Sequence, residues 1–233
     1  MENYEYDIDK LTTYCEDTLG DPNLWQTPDG YPDSLALCII DSLYSTGSHY
    51  TSVVNVINRY KDKYPAGKHG PEDLLHSIDD AGGARKWAED VVKNVKPAHT
   101  RRGALLKAEI IERAAKLMKC LKINTVEDFR RAVEGDRYDN PVRDGWLKLP
   151  SQSSGVTYNY MLLLAGLPSI KPDRMVLRFL ADALGEDADL SKNRAVELLE
   201  RTATRMNVDA RALDHIVWRA ASGRELTEEG ERR

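Results

Sequence analysis

The sequence predicts an all-α protein of about ten to twelve helices. Three observations carry that reading. Apolar residues recur three and four positions apart along most of the chain. Runs of alternating β-branched residues, the mark of half-buried strands, are missing. Clusters of Gly, Pro and Asp separate the apolar segments at intervals suited to helix connections.

The elements follow in order. Asp7–Leu19 is a first amphipathic helix, ended by Gly20, and a loop rich in Gly, Pro and Asp runs from Asp21 to Tyr31. Pro32 is expected to open a strongly apolar helix through Leu35, Leu37, Cys38, Ile39, Ile40 and Leu43. Proline is tolerated there because the first-turn N–H has no partner within a helix. After a break at Thr46-Gly47-Ser48 a helix runs through Val53, Val54, Val56 and Ile57 to Tyr60. Glu72–Ile78 and Ala84–Val95 are two short helices joined at Gly82-Gly83. Arg102–Cys120 reads as the longest clean helix, with a wide stripe from Leu105 and Leu106 to Leu117 and Met118. Thr125 begins the next, and Asp128 three residues on makes an approximate capping box. Pro141–Leu147, Val156–Ala165, Arg174–Leu184, Ser191–Arg205 and Asp209–Ala221 complete the set. Ser222 onward is polar and frayed, with 224–233 a flexible tail.

The length of 233 residues suits one large or two small domains. Three widely spaced cysteines, Cys15, Cys38 and Cys120, predict free thiols in a reducing cytosol. The histidines are scattered and none stands at ligand spacing from a cysteine, so neither structural zinc nor an iron–sulfur cluster is expected. No segment approaches the roughly 18 apolar residues of a membrane span. The acidic start, Met1-Glu-Asn-Tyr-Glu-Tyr-Asp7, is no secretory signal. The expectation is a cytoplasmic protein that does not associate with membranes.

Charge is unevenly distributed. Residues 1–34 hold nine acids and one base, Lys10. Residues 96–131 hold ten bases and four acids. A chain with a net charge of -5 can still present one basic face, although long surface helices are often simply rich in lysine.

The segment 149–173 is the best lead to function. Leu149-Pro-Ser-Gln-Ser-Ser-Gly155 feeds an apolar helix, Gly166-Leu-Pro168 opens a loop, and Asp173 stands at the head of a new helix. This order, with Asp173-Arg-Met-Val176-Leu-Arg178, resembles the helix-hairpin-helix, Gly/Pro-rich, Asp superfamily of DNA glycosylases, of which endonuclease III is the familiar member. Softer matches at Tyr31-Pro-Asp-Ser-Leu-Ala-Leu37 and Lys107-Ala-Glu-Ile-Ile111 extend the likeness over about residues 31 to 186.

The resemblance implies a DNA glycosylase-like helical bundle. A six-helix barrel would span 33–167. A smaller helical subdomain would come from 1–32 with 168–223, and Asp173 would lie at the mouth between them. The implied partner is double-stranded DNA and the implied activity is base-excision repair, with no cofactor or catalytic metal implied. Asp173 would be the catalytic carboxylate, stabilising positive charge on the sugar and activating water; Pro172-Asp173 equally suits an ordinary helix start. The turn would hold a phosphate through Ser151, Gln152, Ser153, Ser154, Gly155 and Thr157. Arg101 and Arg102, in a loop before a helix, are the favoured further phosphate contacts. Tyr44 and Tyr50 are candidates for the wall of a base pocket, although core packing is the commoner fate of such rings. Trp87, Trp146 and Trp218 read as core.

The departures shape the expectation. Both glycines of the family's hairpin are replaced, by Ser151 and Ser153, which leaves the left-handed freedom of glycine to Gly155 alone and implies weaker DNA anchoring. The position of the nucleophilic lysine of bifunctional members is Gly155, so no Schiff base forms there and hydrolysis would be monofunctional. The alternative is a catalytically inactive DNA-binding or protein-interaction module of the same fold, the acidic N-terminal region being a possible contact surface.

Overall fold

The computed structural model describes residues 2–65, 69–185 and 190–226. The predicted tail lies, from residue 227 on, outside the described residues. Among the described residues there are twelve α-helices: α1 (Glu2–Thr18), α2 (Leu35–Tyr44), α3 (Tyr50–Lys63), α4 (Pro71–Asp80), α5 (Ala84–Lys86), α6 (Lys107–Cys120), α7 (Val126–Ala132), α8 (Pro141–Leu147), α9 (Val156–Leu164), α10 (Arg174–Leu184), α11 (Lys192–Met206) and α12 (Ala210–Ala221). Among the described residues there is no strand, so the all-α class read from the sequence is the class observed. The chain divides into two compact units, Gly30–Gly166 and the combination of Met1–Asp29 with Leu167–Arg233.

The Gly30–Gly166 unit is built around α2. Every residue from Leu35 to Tyr44 is buried, and α3, α4, α6 and α9 pack on this helix. Five large aliphatic side chains, Leu35, Leu37, Ile39, Ile40 and Leu43, contribute roughly 2 kcal/mol each by leaving water. The helix starts later than expected. Ser34, not Pro32, is the cap, its Oγ accepting the Leu37 N–H, because the preceding residues are taken up in a turn in which the Ser34 N–H bonds the Tyr31 carbonyl. Gly30 admits no side chain: its φ is +65° and a Cβ would overlap the Leu164 carbonyl, the group that accepts the Tyr31 N–H at 2.8 Å.

The far end of α2 is closed by Lys107. Its ammonium is buried and donates to the carbonyls of Leu43, Tyr44 and Thr46 at 2.6, 3.2 and 2.7 Å. A cation on the last carbonyls of a helix satisfies orphan acceptors and opposes the negative end of the helix dipole.

Two boundaries in this unit differ from expectation. α6 begins at Lys107, five residues after Arg102, because 96–106 folds back on itself. Pro97 and Leu106 form an isolated antiparallel bridge, and the Lys107 N–H bonds the Lys96 carbonyl. After α5 the chain widens into a π turn, Trp87–Val91, and helix ends before the predicted Val95. Thr125 and Asp128 form the capping box that their spacing suggested, each side chain bonding the other's backbone N–H at 3.0 Å.

The second unit packs α1, α10, α11 and α12 against one another. Ile8, Leu11, Cys15 and Leu19 of the N-terminal segment are buried with Val176, Phe179 and Leu180 of α10. The concentration of acid near the N-terminus meets arginines of α11. Asp7 pairs with Arg194 at 2.5 Å, Glu5 with Arg205 at 2.7 Å, and Asp9 also with Arg205. The guanidinium groups of Arg194 and Arg201 lie over the Tyr4 ring, each 5.1 Å from its centre. Three of the nine acids of residues 1–34 are thus paired within their own unit. Trp87 and Trp146 are core, fully buried. Trp218 is only half-buried; His215 stacks on its ring and the Arg224 guanidinium lies 4.8 Å from the ring centre.

Candidate nucleic-acid interface and carboxylate site

α8, a tight turn and α9 form a helical hairpin. Asn140 caps α8 by accepting the Arg143 N–H at 2.9 Å, and Pro141 occupies the first turn. The connection is two successive turns, in which the Gln152 N–H bonds the Leu149 carbonyl and the Gly155 N–H bonds the Gln152 carbonyl, both at 3.1 Å. Pro150 followed by a left-handed residue is the pattern of a type II turn, whose third position usually holds glycine. Here that residue is Ser151, with φ +65°. The conformational freedom expected of Gly155 alone (φ +74°) is thus used at two positions. A serine held left-handed stores about 1 kcal/mol of strain.

The six turn residues split into two groups. Ser151, Ser153 and Ser154 are exposed. Gln152, Gly155 and Thr157 are buried. The indole N–H of Trp146 donates to Thr157 Oγ1 at 2.9 Å, Thr157 donates to Gln152 Oε1 at 2.6 Å, and the Gln152 amide donates to the Pro150 carbonyl at 3.1 Å. Gln152 and Thr157 therefore hold the turn from inside, and their side chains are not available to a phosphate. What the turn offers outward is three serines, since Gly155 and the first residues of α9, Val156, Thr157 and Tyr158, are buried.

Arg101 and Arg102 are exposed at the tip of the folded-back 96–106 segment, where the Ala104 N–H bonds the Arg101 carbonyl and Gly103 is left-handed. Most of the other bases in 96–131 have structural partners: Lys107 on α2, Lys116 with Glu112, Lys119 with Glu72, Arg131 with Glu127 and Asp128, and Arg130 on the Ala165 carbonyl. Arg113 and Lys122 are exposed as well, so Arg101 and Arg102 are the bases gathered at one loop tip and not the whole of the basic surface. Tyr44 is fully buried and donates its hydroxyl to the Asn94 carbonyl at 2.9 Å, so it offers no ring face to a base. Tyr50, at the start of α3, is exposed.

Asp173 caps α10. One carboxylate oxygen, Oδ1, accepts the N–H groups of Met175 at 2.8 Å and Val176 at 3.3 Å. The other, Oδ2, lies 4.0 Å from the Lys171 ammonium, and the side chain keeps 23% of its surface open. One oxygen is thus spent on the helix, while the second stays near solvent with a cation beside it.

Beneath this corner is a carboxylate that the sequence did not flag. Asp214, on α12, is buried and accepts the Lys171 backbone N–H at 2.7 Å. Burial pushes its carboxyl up to about 7, and the neighbouring charge of Asp173 adds to the rise, against the pull of the Lys171 N–H and ammonium. The signal was present as an acid inside an apolar run, Ala212-Leu213-Asp214-His215-Ile216-Val217, where an amphipathic helix should turn its apolar face inward. Among the described residues, no group of three His, Cys, Asp or Glu side chains is placed to hold a metal ion.

One family matches, described as a domain of unknown function (DUF8548), over residues 9–222. The chain belongs to that family. The match includes the hairpin, Arg101 and Arg102, and the Asp173–Asp214 corner, so each of these is part of the DUF8548 domain. No curated protein and no solved structure matches the chain.

Proposed function

We propose that this DUF8548 protein binds duplex DNA and hydrolyses the N-glycosidic bond of a flipped, damaged or mispaired base. Asp173 is the catalytic carboxylate. The observation that carries the reading is its geometry: anchored through Oδ1 by two helix N–H groups, it keeps Oδ2 free of the helix and partly open. A carboxylate held in that way stabilises the positive charge that develops on a sugar as the base departs, and it orients a water for attack. The left-handed Ser151 supports the hairpin half of the reading, because the turn keeps a glycine's backbone path where the residue has changed. Gly155 supplies no amine, so the reaction ends at the abasic site.

The test is excision from duplexes carrying uracil, hypoxanthine, alkylated or oxidised bases. Asp173→Asn should abolish excision and leave the circular dichroism spectrum unchanged, since an amide oxygen still caps α10. Normal turnover in that variant sinks the assignment.

A second reading, a DNA-binding module without catalysis, is favoured by one observation. Of the six hairpin residues assigned to DNA, Gln152 and Thr157 are engaged in the core, which leaves a small phosphate-binding surface. An abasic-site duplex bound with a steep salt dependence, in the absence of any excision, selects this reading.

A further inference from the structure

We infer that Asp214 is a positioning residue for Asp173, holding in place the short segment from which that carboxylate is presented. The inference rests on the reading of Asp173 given above and names a second residue on which the same site depends.

The connection is a continuous chain of hydrogen bonds. Asp214 Oδ1 on α12 accepts the Lys171 N–H at 2.7 Å. The Lys171 carbonyl accepts the Asp173 N–H at 2.7 Å, across Pro172. Asp173 Oδ1 then accepts the N–H groups of Met175 and Val176. Two elements that pack together, α10 and α12, are thus tied through residues 171–173. Pro172 fixes one backbone angle in the middle of the link, so little slack remains between the buried acid and the exposed one.

A buried carboxylate is an expensive way to hold a loop. An apolar residue at 214 would pack in its place but would remove the carboxylate that accepts the Lys171 N–H. Asp214 also carries a charge that the site can feel. Among the described residues, the charged groups that act on it are Lys171 and Asp173, from the connecting segment and the head of α10; α11, also packed on α12, supplies none. Lys171 faces both carboxylates, since its N–H bonds Asp214 and its ammonium lies 4.0 Å from Asp173 Oδ2. Ionisation of Asp214 therefore adds a negative charge that repels Asp173, and protonation removes it.

The experiment is amide hydrogen exchange and a pH titration followed by NMR on the full chain, with excision measured in parallel. Asp214→Ala should raise exchange at Lys171, Asp173, Met175 and Val176 by tenfold or more, with amides in the middle of α11 unchanged. Asp214→Asn keeps an acceptor for the Lys171 N–H and should hold exchange at those four amides within about twofold of the unsubstituted protein. It also serves where the alanine variant fails to fold. In the unsubstituted protein the Lys171 amide signal should titrate with a midpoint near neutrality, lost in Asp214→Asn and moved downward in Asp173→Asn. Unaltered exchange at Met175 and Val176 in Asp214→Ala overturns the inference, as does a Lys171 signal that ignores Asp173→Asn. Both outcomes are independent of turnover. If the four amides respond as expected while the unsubstituted protein excises nothing, the glycosylase reading fails and the positioning link stands.

Discussion

At the head of α9 the buried polar groups are neutral and close on one another; at the head of α10 they are charged and do not. Trp146, Thr157 and Gln152 pass a chain of hydrogen bonds to the Pro150 carbonyl, each at ordinary length and away from water. Asp214 accepts the Lys171 backbone N–H on a carboxylate that can ionise, and Asp173 divides its two oxygens between a helix and a cation. The first arrangement has one state between pH 4 and 9 because none of its three side chains ionises there. The second has at least two, because the Asp214 proton is exchanged near neutrality. Buried polarity at one turn fixes a backbone; at the other it leaves a group able to respond. On the function proposed above, α10 carries the reacting carboxylate and α9 is scaffolding, with the serines of its turn as the outward face.

The largest effect expected from this difference is in pH dependence. In the folded chain the Asp214 carboxyl is raised to about 7, whereas in the unfolded chain it titrates at about 3.9. Between those values the unfolded chain has released the proton and the folded one has kept it. Unfolding therefore releases a proton, and stability falls as pH rises across this window, levelling above it. The loss attributable to Asp214 is on the order of 4 kcal/mol, at about 1.4 kcal/mol per unit. Urea denaturation at a series of pH values should show it as the difference between the unsubstituted protein and Asp214→Asn. Parallel curves for the two proteins would remove the contrast between the turns.

The neutral network should behave in the opposite way. Thr157→Val preserves shape but leaves the Trp146 N–H and the Gln152 carbonyl oxygen without the hydroxyl that joins them. The expected cost is about 2 kcal/mol, within the range for stranding buried polar groups. It should be the same at pH 5 and pH 8, since no charge is involved. A cost that varied strongly with pH would show that the hairpin is coupled to a titrating group and would blur the distinction.

The two regions were unequally legible in the sequence. Helix positions could be read because they depend on local patterns: the Thr125–Asp128 box, Asn140 before Pro141 and Asp173 before α10 all cap the helices their spacing suggests. The start of α6 could not, because the Pro97–Leu106 bridge is a non-local pairing that overrides a good helical stripe. At the hairpin, the residue types suggested six outward polar groups. Burial divided them, since whether Thr157 meets a phosphate or Trp146 depends on the packing of α8 against α9. Asp214 went unflagged because it lies 41 residues beyond Asp173, and only the packing of α12 on α10 brings its carboxylate to the Lys171 backbone.

The smallest effect separates what the hairpin needs for folding from what it holds for a partner. Ser151 sits where a type II turn favours glycine. Ser151→Gly relieves about 1 kcal/mol of left-handed strain but gives the unfolded chain extra freedom worth roughly 0.5–1 kcal/mol. The two nearly cancel, and urea denaturation should register a change of only a few tenths of a kcal/mol. Ser151→Val meets the full steric penalty and should be clearly less stable. Because folding is almost indifferent between serine and glycine here, the hydroxyl is open to a test in binding alone. Ser151→Gly should weaken binding to an abasic-site duplex if Oγ donates to a phosphate, and strengthen it if close approach of the backbone matters more. No change in binding would detach Ser151 from DNA, and the turn would then match the neutral scaffold behind it on both faces.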